Sequence, residues 1–179
     1  MTRVIGVAIE IPERWGTELT NWRAKVGDPQ AHLVPPHVTL LPPTQLTADE
    51  SAAAERHLES VADARQPFDM HLRGTGTFQP VSDVVFVVVD RGISGCEVLE
   101  AAVRSGPLHR PIEYPYHPHV TVAHALPDDA LDRAYEGLAG FEAHFVVGGF
   151  TLFEHGDDGV WRPQRAFPFS GQSSRDKGA

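Results

Sequence analysis

Pro36-His37-Val38-Thr39-Leu40 and, 82 residues later, Pro118-His119-Val120-Thr121-Val122 are the stretches on which the fold of this chain turns. With ten His and ten Thr among 179 residues, about 0.6 His-x-Thr would arise by chance, so one occurrence carries little. The same Pro-His-Val-Thr frame twice is an internal repeat. On a β-strand, side chains two apart share a face, so His37 points with Thr39 and His119 with Thr121, while Val38, Leu40, Val120 and Val122 turn into the core. A helical pattern follows each copy after a short loop. The chain therefore reads as two similar α+β halves, each presenting one imidazole and one hydroxyl together.

Outward from the first copy, the β-branched run at 4–9 predicts a buried strand. Trp15, Leu19, Trp22 and Val26 fall at i, i+4, i+7 and i+11, one stripe of a helix, with Pro12 in its first turn and Gly27 at its end. The first motif strand is expected over 33–41, hemmed by prolines at 35, 36, 42 and 43, as suits a strand exposed at a cleft. Thr47-Ala48-Asp49-Glu50 is a capping box opening a helix that carries Leu58 and Val61 and stops before Pro67. Residues 68–73 alternate as a half-buried strand, whereas 84–89 are apolar throughout and predict a central one. Gly74-Thr75-Gly76 between them reads as a turn or bulge, because Gln79 stands where a dinucleotide fingerprint needs its third glycine. Ser94-Gly95-Cys96-Glu97 predicts a second capping box. A strand over 116–125, a helix over 128–138, strands within 141–154 broken at Gly148-Gly149, and a turn at 156–159 before a segment around Trp161 complete the pattern.

The expected architecture is α+β and bilobal, with two pseudo-symmetric antiparallel sheets lining a central cleft and helices outside. Residues 1–169 form this one domain. Residues 170–179, which lack large apolar side chains, are expected to be a flexible C-terminal tail.

Hydrophobic residues make up 41% and charged residues 22%, the usage of a globular chain. The formal charge of -9 excludes a protein that coats nucleic acid or an anionic membrane by charge alone, so any RNA contact is local. One cysteine, Cys96, allows neither an internal disulfide nor a cysteine-based zinc site, as in a reducing compartment, and the cytoplasm is the expected location. The N-terminal apolar run is cut by Glu10 and Pro12 before it could span a membrane. A monomer without membrane association is expected.

Two imidazoles facing each other suit in-line phosphodiester chemistry. One takes a proton from the attacking water or hydroxyl while the other gives a proton to the leaving oxygen. Histidine titrates near neutrality, so the pair can hold opposite protonation states. The Thr39 and Thr121 hydroxyls can donate to the non-bridging phosphate oxygens, where charge builds up. Phe78, Tyr114 and Tyr116 could stack a nucleobase beside the phosphate, and His117 reads as a cleft-wall residue. A competing reading gathers His117, His119 and His124 as a metal cluster, but no Asp or Glu stands nearby in sequence to complete a shell, and the acid-base scheme needs neither metal nor cofactor. No Gly-x-Ser-x-Gly motif points to a serine hydrolase.

At these residues the sequence resembles the 2H phosphoesterase superfamily, which includes bacterial 2′-5′ RNA ligase-like proteins and RNA 2′,3′-cyclic phosphodiesterases. That family is defined by two His-x-Thr/Ser-x motifs on strands about eighty residues apart, matched here by His37-Val38-Thr39-Leu40 and His119-Val120-Thr121-Val122. The likeness runs from about Arg3 to Phe169 and takes in Gly-Thr-Gly-Thr-Phe at 74–78. Members often carry an Arg three residues beyond the second motif's Thr, where this chain has His124. The resemblance implies a metal-independent phosphoric diester hydrolase that opens a 2′,3′-cyclic phosphate on a small nucleotide or at an RNA 3′ end. His37 and His119 would be the acid-base pair, His119 the base, and Thr39 and Thr121 the phosphate ligands. A 2′-5′ ligase running the same chemistry backwards, or a non-catalytic module binding nucleotides or RNA ends, is the alternative.

Overall fold

The computed structural model describes residues 1–171. In chain order it contains β1 (Thr2–Glu10), α1 (Glu13–Lys25), β2 (His37–Thr47), α2 (Ala48–Asp63), β3 (Phe68–Thr77), β4 (Val84–Arg91), α3 (Ile93–Val103), β5 (His119–His124), α4 (Asp128–Gly137), β6 (Glu142–Val147), β7 (Gly149–His155) and β8 (Trp161–Pro168). The strands form two antiparallel four-stranded sheets, ordered β2-β1-β7-β8 and β5-β4-β3-β6, with the helices outside.

The halves repeat, but they are interwoven rather than consecutive. The unit β1-α1-β2-α2 corresponds to β4-α3-β5-α4: in each, the motif strand pairs antiparallel with the strand before it and forms a sheet edge. The two remaining strands of each sheet come from different parts of the chain. The first sheet closes with β7 and β8 from the C-terminal end, whereas the second takes β3 from before its unit and β6 from after it. The edge strands β2 and β5 lie against each other, so the two motifs meet where the sheets meet. Apolar residues at alternate positions fix this placement: Val38 and Val120 are 0% exposed and Leu40 and Val122 are 1%. Burying each such side chain contributes about 1.5–3 kcal/mol, and slipping the register by one would turn all four to solvent.

Several boundaries differ from the sequence reading. The first motif strand begins at His37 and continues to Thr47 instead of ending near Leu41. Pro42 and Pro43 are accommodated because the pairing with β1 jumps from Thr44↔Ile5 to Leu41↔Val7, leaving both prolines in a bulge on an edge strand. The second motif strand is shorter than expected, starting at His119 rather than residue 116. The Thr47 capping box forms as read, with Glu50 N–H donating to Thr47 Oγ1 and Thr47 N–H donating to Glu50 Oε2. The Ser94 box does not: α3 starts at Ile93 after Gly92, whose φ of 103° makes the turn into the helix without a side-chain cap. Gly74-Thr75-Gly76 lies within β3, where the pairing with β4 jumps between Leu72 and Thr75, so the bulge reading holds. Of the expected tail, Ser170 and Gly171 are tied to the end of α2 through Ser170 Oγ donating to Asp63 Oδ1 and Gly171 N–H to Arg65 O. Residues 172–179 lie outside the described residues. No helix among the described residues is long and apolar enough to cross a membrane.

Candidate functional site

Both imidazoles are held in the same way. His37 Nδ1 lies 2.7 Å from Pro35 O, and His119 Nδ1 lies 2.8 Å from His117 O. A carbonyl only accepts, so in each ring Nδ1 carries the proton and Nε2 keeps the lone pair when the ring is neutral. The anchor is the carbonyl two residues upstream in both copies. The repeated frame therefore specifies tautomer and ring orientation as well as strand position.

Beyond the anchor the copies diverge. Nε2 of His37 is 3.0 Å from Thr39 Oγ1 and accepts the hydroxyl proton. His119 Nε2 and the Thr121 hydroxyl have no hydrogen-bond partner among the described residues. The aromatic surroundings differ too. His37 stacks on Trp161 with ring centroids 5.9 Å apart and an interplanar angle of 22°. His119 meets Phe78 and Phe86 edge-on, at 4.9 Å and 85° and at 5.5 Å and 64°.

A glycine within a strand makes each aromatic contact possible. A Cβ on Gly6 of β1 would collide with the Trp161 indole, and one on Gly76 of β3 would come within 2.7 Å of the Phe86 ring. Neither glycine has positive φ; each is needed because a ring occupies the place of its side chain.

Burial pulls the pKa of His37 below the ordinary histidine value. The positive charges of Arg23 and His119 act in the same direction, partly offset by the bond to Pro35 O. Burial likewise lowers His119, aided by the charge of His117 and opposed by the bond to His117 O.

Tyr116 joins the sheets at the site by donating from its phenol to Thr39 O at 2.8 Å. Burial raises the phenol's pKa, so it remains a donor through the neutral range. A second tie comes from Arg23 and Asp28, both buried. Arg23 Nε donates to Asp28 Oδ2 at 2.8 Å, and the same oxygen accepts the backbone N–H of His124 at the end of β5. Asp28 Oδ1 accepts the Gln30 N–H. Removing either partner of such a buried pair costs about 3–5 kcal/mol, because the other charge is stranded.

Beside these groups lies a cavity of about 750 Å³, within the range of small-ligand sites. Thr39, His117 and His119 stand in its wall, as do Phe78, Tyr114 and Tyr116. The structure thus gathers six of the eight residues singled out from the sequence around one space. His37 and Thr121 are not in the wall: His37 is bonded to a wall residue, Thr39, and Thr121 is half-buried on β5, on the same strand face as His119. His117 and His119 lie side by side, ring centroids 6.1 Å apart. His124 is used through its backbone, and no group of three or more His, Cys, Asp or Glu side chains among the described residues is placed to hold a metal ion.

The sequence reading missed Trp161 as a partner of His37, Phe86 as a partner of His119, and the Arg23–Asp28 pair. Gly6 was the available signal, since a glycine inside a β-branched run marks a close approach. Nothing in the local sequence marks Asp28 as the group that meets β5 at a separation of 96 residues.

The chain matches the 2′-5′ RNA ligase superfamily over residues 11–159. Among curated relatives, a protein named "Putative phosphoesterase" from Bacillus licheniformis is 29% identical over 158 residues, covering 87% of this chain and 93% of that one. Another so named, from Bacillus cytotoxicus, is 30% identical over 167 residues, covering 91% and 95%. Among solved structures, E. coli LigT complexed with NADP+ superimposes with a TM-score of 0.71 at 21% identity, covering 95% of this chain and 99% of that chain. A protein of Thermus thermophilus gives 0.68 at 23%, covering 95% and 100%. At these identities the structural likeness speaks to the fold, whereas the family match spans the first motif, the second and the strands between. The chain belongs to the 2′-5′ RNA ligase superfamily, the 2H phosphoesterases.

Proposed function

We propose that this protein is a phosphodiesterase that opens a 2′,3′-cyclic phosphate, on a nucleotide or at an RNA 3′ end, with His119 as general base and His37 as general acid. The observation that carries this reading is the shared anchor: two imidazoles, each with Nδ1–H on a backbone carbonyl, so that Nε2 is the working nitrogen in both. His119 takes the role of base because its Nε2 is unpaired. Water attacks phosphorus and gives its proton to His119 Nε2. The bond from phosphorus to one ribose oxygen breaks, and that oxygen takes the proton from His37 Nε2. The product is a phosphomonoester with an adjacent free hydroxyl. Thr39 and Thr121 donate to the non-bridging oxygens; Thr39 turns its hydroxyl from His37 Nε2 once that nitrogen carries a proton.

Both histidines lie below their ordinary pKa, which favours two neutral rings at pH 7. An arriving phosphate anion supplies the opposite charge that restores a proton to one of them. LigT, to which the fold is similar, has been crystallised with 3′-AMP and with phosphate, in keeping with a ligand of nucleotide size bearing a phosphate. A 2′-5′ ligation, in which a 5′-hydroxyl takes the place of water in attacking the cyclic phosphate and the ribose 3′-oxygen leaves with the proton from the acid, uses the same groups and is the second reading that the family supports.

The test is a panel of 2′,3′-cyclic nucleotides, linear diesters and cyclic-ended oligonucleotides, assayed with and without EDTA. Opening of the cyclic phosphates, undiminished by chelation, is expected. Binding without turnover of any of them would leave the non-catalytic module as the function, and activity restored to a chelated sample by zinc would return His117, His119 and His124 to consideration.

A further inference from the structure

The cavity beside His119 is shaped by apolar side chains left open to solvent. Val81 is 75% exposed, Ile112 54% and Tyr114 64%, and all three stand in its wall. Exposed apolar residues scattered singly are ordinary; three converging on one cavity that Thr39 and His119 also line mark a binding surface.

The charges point the same way. Arg104 is the sole arginine or lysine among the cavity's lining residues, and its guanidinium is already engaged, Nη1 with Glu100 at 3.4 Å and Nη2 donating to Arg110 O. Arg110 nearby is likewise committed, with Nη1 donating to Pro107 O and His109 O and Nη2 3.7 Å from Glu50. The anion in the wall, Glu113, has no ion-pair partner among the described residues. A second phosphate placed here would meet an unpaired carboxylate and no free arginine or lysine; apart from His119 itself, the one group in the wall able to answer it is the His117 imidazole.

We infer that this cavity receives the uncharged, apolar body of a phosphoester bearing a single phosphate, and discriminates against bodies that carry further negative charge. The inference rests on the reading of His119 and the two threonines as the phosphate site. It narrows the substrate to small, singly charged esters, a mononucleoside cyclic phosphate among them, and away from RNA chains. It would also set this protein apart from LigT, which has been crystallised with the polyphosphates ATP and NADP+.

Calorimetric binding of inorganic phosphate, phenyl phosphate and 4-carboxyphenyl phosphate to the full chain isolates the body from the phosphate. Phenyl phosphate is expected to bind about tenfold tighter than inorganic phosphate, and the carboxylated analogue about tenfold weaker than phenyl phosphate. Ile112→Lys, at an exposed position that does not endanger folding, should narrow the gap between the two aryl esters at least fivefold by supplying the missing cation. Equal binding of phosphate and phenyl phosphate, no binding of either, or preference for the carboxylated ester by the unmodified chain would overturn the inference. A chain that shows the expected ranking yet opens no cyclic phosphate would refute the proposed reaction and leave the cavity's selectivity standing. A chain that opens cyclic phosphates without the ranking would do the reverse.

Discussion

The surroundings of His37 and of His119 start from the same four-residue frame and end differently. Strand position, outward face and the Nδ1–H anchor two residues upstream are common to both. The stacking indole, the engaged Nε2 and the nearby Arg23 belong to His37 alone. The edge-on phenyl rings, the unpaired Nε2 and the large cavity belong to His119. A duplicated motif supplies two equivalent groups, but acid-base chemistry needs two inequivalent ones. Trp161 on β8 and Phe78 after β3, both outside the repeated unit, and Phe86 on β4, whose counterpart β1 carries no aromatic ring, supply that inequivalence.

The largest expected effects come from removing either ring. His37→Ala and His119→Ala should each lower turnover by about two to four orders of magnitude, and the double variant should be less than multiplicatively worse, since the two act as a unit. The pH profile of kcat/KM separates their roles. A base must be neutral and an acid charged, so His119→Ala should erase the acidic limb and His37→Ala the alkaline limb. The opposite assignment of limbs would exchange the roles, and unchanged rates in both variants would make the histidines structural.

Next come the hydroxyls. Thr39→Ala and Thr121→Ala should each cost about 3 kcal/mol or less in transition-state stabilisation, the scale of a single oxyanion donor. Thermal unfolding should show both variants folded, because neither side chain is core. If only one of the two lowers kcat, the phosphate is held from one lobe and the twofold description of the site fails.

A smaller effect is expected from the aromatic partners. Stacking on an indole stabilises a charged ring by about 0.5–2 kcal/mol, so Trp161→Leu should lower kcat by about three- to tenfold and move the alkaline limb to lower pH. Gly6→Ala, which pushes the indole from its place, should reproduce that shift. Gly76→Ala, which displaces Phe86, should leave the alkaline limb where it is and disturb the acidic limb instead. Identical shifts from both glycine variants would mean that the two aromatic environments are interchangeable.

The smallest expected effect concerns pH in the unmodified chain. Both histidines lie below the ordinary value in the free protein, so the maximum of kcat/KM should fall below about pH 6.5. The same depression links to stability. The unfolded chain binds these protons more readily, so the stability that the neutral rings contribute is complete above the unfolded pKa and is lost as pH falls through the folded values. Chemical denaturation at pH 7.5 and 5.5 would read this difference, and an optimum above pH 7.5 would contradict the depression.

The sequence alone determined the two motif strands, their outward faces and the buried valines and leucines behind them. These depend on alternation within a few residues, which the chain carries locally. The central strand around Val87, the Thr47 cap and the bulge at Gly74 were legible for the same reason. Where non-local pairing overrides local preference, the reading failed: Pro42 and Pro43 looked like a strand's end until the register with β1 placed them in a bulge. The order of strands was also beyond it, because β3 and β6 reach the second sheet from either side of its repeated unit and no local signal says so. The candidate site divides along the same line. His37, Thr39, His119 and Thr121 stand in a repeat that can be counted, and Tyr116 is legible as a ring able to stack a nucleobase. Its bond to Thr39 O, the indole over His37, the phenyl edges at His119 and the reach of Asp28 to His124 join residues from 77 to 124 positions apart, apart from the nearer Phe78 and Phe86, and exist only once the sheets have closed. Tertiary structure decided which of two like histidines is unlike the other, because ring contacts and desolvation are properties of neighbours in space, and the repeated frame says nothing about them.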